Sequence, residues 1–439
     1  MVAENVGQPA VATRDKKRVP RLEGIRGLCA LGVIVTHVAF STGVVLGSEA
    51  GPPQQGIWSI LVAGLEVCLG PFFILSGMLL YRPFARATIA GRKWPSVGPY
   101  FLRRALRLLP PYWLLAVVCL LLLNFSSIHS AWYVLRPILL MQDYDYVWYA
   151  GMDPTWTVPT EAQFYILLPL VGLLMARLGR GAADPAARGR RMLIPIGFLL
   201  LVGFAFTAYM HAPSLGVWPT VYWWPFSRIG LFGLGMGLAV LTSVAEASPE
   251  KTPGLLRFAG RRPNLFWVAA LAMYGVNCLA PFGHRGTWDY GSIPFALVQH
   301  VAFLSFAFLA VVPLVAPKAQ SRLMEGLLSN RPMRFLGRIS YGMYLWHFAV
   351  MYFWFRSGSI FGAPPKLAFF LIGTVGFWEM VTVVVLGTIA VAALSYYFFE
   401  RPIIMWGERL TRGRKKEPVV APIAAGNFAP PEQDERKSA

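Results

Sequence analysis

The sequence predicts an all-α membrane protein, a polytopic bundle of about ten transmembrane helices with both termini on the cytoplasmic side. Three observations predict it. Hydrophobic residues make up 56% of the 439-residue chain and charged residues only 14%. Several apolar runs reach the roughly 20 residues that cross a bilayer, and they follow one another with short gaps. Basic residues recur in every second gap, as the positive-inside rule requires. The net charge of +19 therefore belongs to a membrane surface and not to nucleic acid. Cys29, Cys68, Cys119 and Cys278 all fall within apolar runs. That argues for free, buried thiols and against a disulfide framework, and they show no metal-ligand spacing.

Residues 1–20 are polar and carry Arg14, Lys16, Lys17 and Arg18, so a disordered cytoplasmic tail is expected. No signal peptide is expected, because this stretch runs into a span too long for an h-region. The spans fall at roughly 26–46, 57–81, 108–126, 160–177, 192–211, 221–244, 264–282, 293–316, 338–357 and 367–399. With the N-terminus inside, the cytoplasmic gaps hold Arg82 to Arg107, then Arg177 to Arg191, then Lys251 to Arg262, then Lys318 to Arg334. The opposite gaps hold few basic residues. One membrane domain is expected over 21–408, followed by a second disordered tail over 409–439. The longest external gap, 127–159, differs in kind: several Trp and Tyr stand beside Asp143, Asp145 and Asp153. Such rings and carboxylates suit a sugar or a lipid headgroup, and equally an interfacial aromatic belt.

Four stretches carry polar chemistry inside the apolar pattern. In the first span Arg26 and His37 are eleven residues apart, so a helix places both on one face about 16 Å apart. Charged groups at such depth face a protein interior or a water-filled cavity; the structural alternative is a snorkelling Arg and a packed His. Glu161 opens the fourth span and needs a partner. Arg228 in the sixth span is the candidate, either as a structural ion pair or with Glu161 left to orient a reacting group. Arg103, Arg104 and Arg107 enter the third span, where guanidinium forks suit phosphate or anchor the chain to anionic headgroups. Ser340, Tyr341, Tyr344 and His347 bring polar groups into the ninth span. Tyr344 and His347, three apart, share a face, and a core hydrogen-bond network is the simplest account of them. His129, His211, His284 and His300 form no recognisable constellation.

Taken together these stretches resemble the acyltransferase family 3 membrane proteins, which O-acylate surface polysaccharides, glycolipids and some natural products. The resemblance runs from about Arg21 to Pro402. The family's Arg-(ten residues)-His signature falls on Arg26 and His37. Its Phe-Phe-x-Leu-Ser-Gly stretch falls on Phe72, Phe73, Ser76 and Gly77. Its basic stretch before Pro-x-Tyr-Trp falls on Arg103, Arg104, Arg107, Pro110 and Tyr112. Its Trp-Ser-Leu-x-x-Glu-x-x-Phe-Tyr element keeps Trp156, Glu161, Phe164 and Tyr165. Ser340, Tyr341, Tyr344, Leu345 and His347 match the late Ser-Tyr-x-x-Tyr-Leu-x-His, and Glu400, Arg401 and Pro402 the closing Glu-Arg-Pro. Each piece alone is weak; six in order on one bundle carry the resemblance. Thr157 stands where Ser is usual, Pro159 precedes Glu161, and Gly70-Pro71 replaces an acidic approach to the Phe-Phe pair. No soluble hydrolase-like domain of the kind some members carry follows Pro402, so a stand-alone form is expected.

The resemblance implies a multi-pass protein of the cytoplasmic (inner) membrane. It would move an acyl group, acetyl above all, from cytoplasmic acyl-CoA to a hydroxyl of an envelope glycan or glycolipid. Acyl-CoA is a co-substrate here, with no permanently bound cofactor and no metal expected. Arg26, Arg103, Arg104 and Arg107 would hold the CoA phosphates while the pantetheine arm reaches inward. A neutral His37 suits a general base, with Glu161 and Arg26 in the same catalytic group. Trp156, Arg228, Tyr344, His347 and Ser76 would meet substrate; Tyr344, Ser76 and Arg228 are the candidate donors to the oxyanion. The competing readings are a transporter or flippase for a glycolipid or acylated small molecule, and a sensor or scaffold. Oligomeric state is not encoded in any feature of the pattern.

Overall fold

A computed structural model describes residues 20–45, 56–145, 147, 149–216, 219–279, 292–355 and 376–412. Helices α1 (Pro20–Ser41), α2 (Ile57–Gly64), α3 (Gly70–Ile89), α4 (Val97–Leu122) and α5 (Ala131–Ile138) open the chain. Next come α6 (Thr157–Gly179), α7 (Pro185–Met192), α8 (Ile194–Met210), α9 (Ile229–Ala247), α10 (Gly254–Arg261) and α11 (Pro263–Leu279). Last are α12 (Ile293–Val315), α13 (Arg322–Leu328), α14 (Arg331–Phe355), α15 (Phe377–Ser395) and α16 (Arg401–Arg412). Among the described residues there is no strand.

Among the described residues eight helical stretches are long and apolar enough to cross a membrane, which makes this a multi-pass membrane protein. Two of the ten expected spans differ. The described part of the run at 264–282 is an apolar helix of 17 residues, Pro263–Leu279, and 280–282 lie outside the described residues. The described part of the run at 338–357 lies in α14, which begins with Arg331, Arg334 and Arg338 and carries Ser340, Tyr341, Tyr344 and His347 within the run; 356–357 lie outside the described residues. The last span starts at Phe377, and the expected start near 367 lies outside the described residues. Pro20 opens α1 and α16 ends at Arg412, so almost all of both expected tails also lies outside them.

Glycine sets the closest helix contacts. A Cβ at Gly24 would lie 1.9 Å from the Leu328 carbonyl oxygen, and one at Gly337 would lie 1.9 Å from that of Glu23. Backbone thus meets backbone where α1 crosses α14 and α13. The pair α3 and α9 is closed in the same way: Gly77 faces the Phe232 carbonyl and Gly235 faces that of Ile74, each with only 2.2 Å for a Cβ. In a membrane such small-residue contacts replace the hydrophobic drive that water provides elsewhere. Around them Phe73, Phe84, Phe164, Phe232 and Tyr81 fill one core, with Phe164 stacked on Phe232 at 4.7 Å. All four cysteines are free and buried.

Between α4 and α6 the chain does not form a simple surface loop. Asn124 ties it down: its amide donates to the Cys119 and Ala150 carbonyls, and its oxygen accepts from the Ala150 N–H at 2.9 Å. Tyr112 donates to the Pro137 carbonyl and Tyr149 to that of Tyr133, each at 2.8 Å. Short 3₁₀ turns at Gln142–Tyr144 and Asp153–Trp156 carry the chain back into the bundle, where α6 begins.

Candidate functional site

One cavity of about 210 Å³ joins the polar stretches singled out in the sequence. Its walls include Arg26 from α1, Ser76 from α3, Arg104 and Arg107 from α4, Glu161 and Tyr165 from α6, and Tyr344 from α14. Arg103 is exposed and does not line it. Glu161 accepts a hydrogen bond from the Tyr165 hydroxyl at 2.6 Å and faces the guanidinium groups of Arg26, Arg107 and Arg104. Three cations facing one carboxylate leave a net positive cavity inside an apolar bundle. A second carboxylate, Glu400, sits buried behind Arg107 and accepts from the Ser395 hydroxyl at 3.0 Å. It ends a π-helical turn, Tyr396–Glu400, that joins α15 to α16; such turns recur at functional sites.

The expected contact between Glu161 and Arg228 is not formed. Glu161 lies one turn into α6, and α6 runs antiparallel to α4, with Tyr100 donating to the Tyr165 carbonyl at 3.0 Å. The inward return of the preceding segment therefore carries Glu161 to the level of Arg107. Arg228 instead lies over three rings, 5.3 Å from Phe303, 5.6 Å from Trp156 and 5.9 Å from Tyr222. Trp156 in turn packs on Trp223 at 5.3 Å.

Tyr344 connects the cavity to the histidines. Its hydroxyl donates to the Pro154 carbonyl at 2.5 Å and accepts from the Thr157 hydroxyl at 3.0 Å. The Thr that replaces the usual Ser thus keeps the hydroxyl that matters. Pro159 falls in the first turn of α6, where a missing N–H costs no intrahelical bond. One turn beyond Tyr344, His347 is fully buried. Its Nδ1 lies 2.7 Å from the Tyr344 carbonyl and its Nε2 lies 3.0 Å from Nδ1 of His37. A carbonyl only accepts, so His347 Nδ1 carries the hydrogen. Its Nε2 is then the acceptor in the neutral ring, and His37 Nδ1 must donate to it. With both rings neutral this leaves His37 Nε2 without a proton. Phe348, 5.0 Å from His37, and Phe40 hold the ring from its other sides.

The sequence pointed to Arg26, Arg104, Arg107, Glu161, Ser76, Tyr344 and the two histidines, and the fold brings them to one region. It gave no role to Tyr165, Tyr341 or Glu400 beyond their places in motifs. Tyr341 lines the cavity and donates to the Leu108 carbonyl at 2.7 Å.

A second, smaller pocket of about 40 Å³ lies across the Asp153–Trp156 turn, among Asp143, Asp145, Asp153, Trp156, Thr220 and Trp223. Asp143 stands in the connecting segment outside the membrane-crossing helices, and burial pushes its carboxyl up to about 8. The neighbouring Asp145 is paired with Arg136 at 3.1 Å.

Comparison with known proteins gives the family. The acyltransferase-domain family model matches residues 19–400. The peptidoglycan O-acetyltransferase OatA of Listeria monocytogenes is 23% identical over 414 residues, covering 89% of this chain and 56% of OatA. YrhL of Bacillus subtilis, provisionally named a peptidoglycan O-acetyltransferase, is 24% identical over 424 residues, covering 90% of this chain and 56% of YrhL. SACOL0978 of Staphylococcus aureus, provisionally named an O-acetyltransferase, is 22% identical over 422 residues, covering 89% of this chain and 58% of that protein. The chain thus spans little more than half the length of these relatives. With the match covering nearly all of the described helices, the chain belongs to the acyltransferase-domain family of membrane proteins.

Proposed function

We propose that this protein is an O-acetyltransferase of the inner membrane that moves an acetyl group from cytoplasmic acetyl-CoA to a hydroxyl of an envelope glycan. The observation that supports the reading is the chain of contacts from a cationic cavity, whose wall includes Tyr344, through His347 to the ring of His37. Arg26, Arg104 and Arg107 are suited to the CoA phosphates, since guanidinium forks bind them in a bidentate fashion. Arg103, off the cavity wall, serves as an outer guide for the same anion. Glu161, bonded to Tyr165, keeps the three cations apart and orients them. Along α1 the rise from Arg26 to His37 is about 16 Å, a span suited to a pantetheine arm that carries the thioester towards His37.

In the transfer His37 Nε2 accepts the proton of the acceptor hydroxyl as its oxygen attacks the thioester carbonyl. His347 accepts the hydrogen bond from His37 Nδ1 and so stabilises the imidazolium that forms. The carbonyl oxygen gains negative charge, and the Ser76 hydroxyl on the cavity wall is the candidate donor to it, while Tyr344 would have to release the Pro154 carbonyl to join. Collapse expels CoA as a thiolate, which takes the proton back from His37. The names of the relatives favour a peptidoglycan-like glycan as acceptor.

Mass spectrometry of envelope glycans, glycolipids and secreted metabolites from wild-type and His37→Ala cells tests the reading and names the acceptor. One species should lose an acetyl-sized mass in the variant. An unchanged envelope with normal membrane levels of the variant would contradict the role of His37.

A further inference from the structure

The pocket across the Asp153–Trp156 turn has no part in the acetyl-CoA path, yet it is built like a binding site. Asp143 is about nine-tenths buried, and its Oδ2 is a buried oxygen with no hydrogen-bond partner. A buried acceptor left unsatisfied is costly, and this one belongs to a residue that lines the pocket. Beside it, Gln142 is equally buried and extends its amide to the Thr155 carbonyl at 3.5 Å. Trp156 and Trp223 form one wall, with ring centroids 5.3 Å apart.

We propose that this pocket is a saccharide subsite, in which Asp143 bonds a sugar hydroxyl while Trp156 and Trp223 pack against the apolar face of the sugar ring. Three observations select this ligand class. Among the described residues that line the pocket there is no Arg, Lys or His, so it offers no cation to a phosphate or any other anionic headgroup. Among the described residues no three His, Cys, Asp or Glu side chains converge as a metal-binding set, and Asp145 is already paired with Arg136, so a metal cation is disfavoured. A carboxyl held up to about 8 is neutral at physiological pH, and a neutral acid both donates to and accepts from a hydroxyl. Its size sets how the sugar sits. At about 40 Å³ the pocket is too small for a sugar ring, so a hydroxyl-bearing arm enters and the ring rests at the mouth on the two indoles.

The subsite is also well placed. The Asp153–Trp156 turn that forms its floor runs directly into Thr157, Val158 and Glu161, which line the cationic cavity. The proposal rests on the acyl-transfer reading for the purpose of the sugar, not for its binding. Sugar binding is therefore measured without acetyl-CoA, using the full chain in detergent and the N-acetylglucosamine tetramer as probe, by saturation-transfer NMR with a titrated dissociation constant. The wild type should bind. Asp143→Leu should weaken binding about ten-fold or more, and Asp143→Asn, which keeps a neutral donor and acceptor, should bind nearly as the wild type does. Should Asp143→Leu fail to fold, Trp223→Ala carries the same expectation. No binding by the wild type, or unchanged binding by both Asp143→Leu and Trp223→Ala, overturns the subsite. Binding of the tetramer with no CoA released from acetyl-CoA by the same wild-type sample overturns the transfer reading and upholds the subsite.

Discussion

His37 and His347 show how a pair of rings fixes a proton that neither ring fixes alone. The Tyr344 carbonyl commits His347 to one tautomer, and His347 commits His37 to the other role. Replacing His37 by Ala should lower acetyl transfer by about 10²–10⁴-fold, the range a general base contributes. His347→Gln should act through His37. It should lower kcat by a smaller factor and shift the pH–rate profile, while the KM for acetyl-CoA stays put. Arg107→Ala should instead raise that KM, because it removes one fork from the cavity proposed to hold the CoA phosphates. Asp143 yields a stability prediction. The unfolded carboxyl loses its proton near 3.8, whereas the folded one holds it up to about 8. Between those values the native state binds more protons, so stability falls as the pH rises through that window. Asp143→Asn should flatten this slope in thermal unfolding followed from pH 4 to 8.

At the scale of elements, legibility followed the kind of signal. Apolar runs made most of the helices visible, because period and length do not depend on neighbours. The shared face of Arg26 and His37 was likewise a property of one helix. Glu161 shows the limit. Its partner depended on how far the segment between α4 and α6 turns back into the bundle, and that is set by Asn124, by Tyr149 and by two 3₁₀ turns. No single-helix pattern reports such a depth, so Arg228 looked like the nearer cation. The His37–His347 contact spans 310 positions and depends on the α1–α14 crossing, which glycine permits. Gly337→Ala would push a methyl group into the Glu23 carbonyl. It should lower thermal stability by about 1–3 kcal/mol and reduce transfer by separating the two rings. Gly275→Ala in α11 meets nothing within 4 Å and should be neutral or stabilising by about 0.4–1 kcal/mol. Melting curves of the two variants in one detergent would show the contrast, and equal losses would argue against the crossing as the sensitive contact.

For the whole molecule, the proposed labour is divided among three places in the bundle. A cationic cavity is proposed for the anionic donor, His37 stands further along α1 against His347 of α14, and a pocket with buried carboxyls and two indoles lies across one turn of chain. The relatives named as O-acetyltransferases are nearly twice as long as the matched region, while the family match falls on these helices. The helical bundle is therefore the part to test for the acetyl step itself. The most direct measurement supplies acetyl-CoA labelled in the acetyl group to proteoliposomes that hold the purified chain and the N-acetylglucosamine tetramer, and follows free CoA and labelled sugar together. The account predicts equal release of CoA and labelling of sugar by the wild type, both abolished in His37→Ala. Movement of sugar or lipid across the bilayer with no CoA released, or full transfer by His37→Ala, would contradict it.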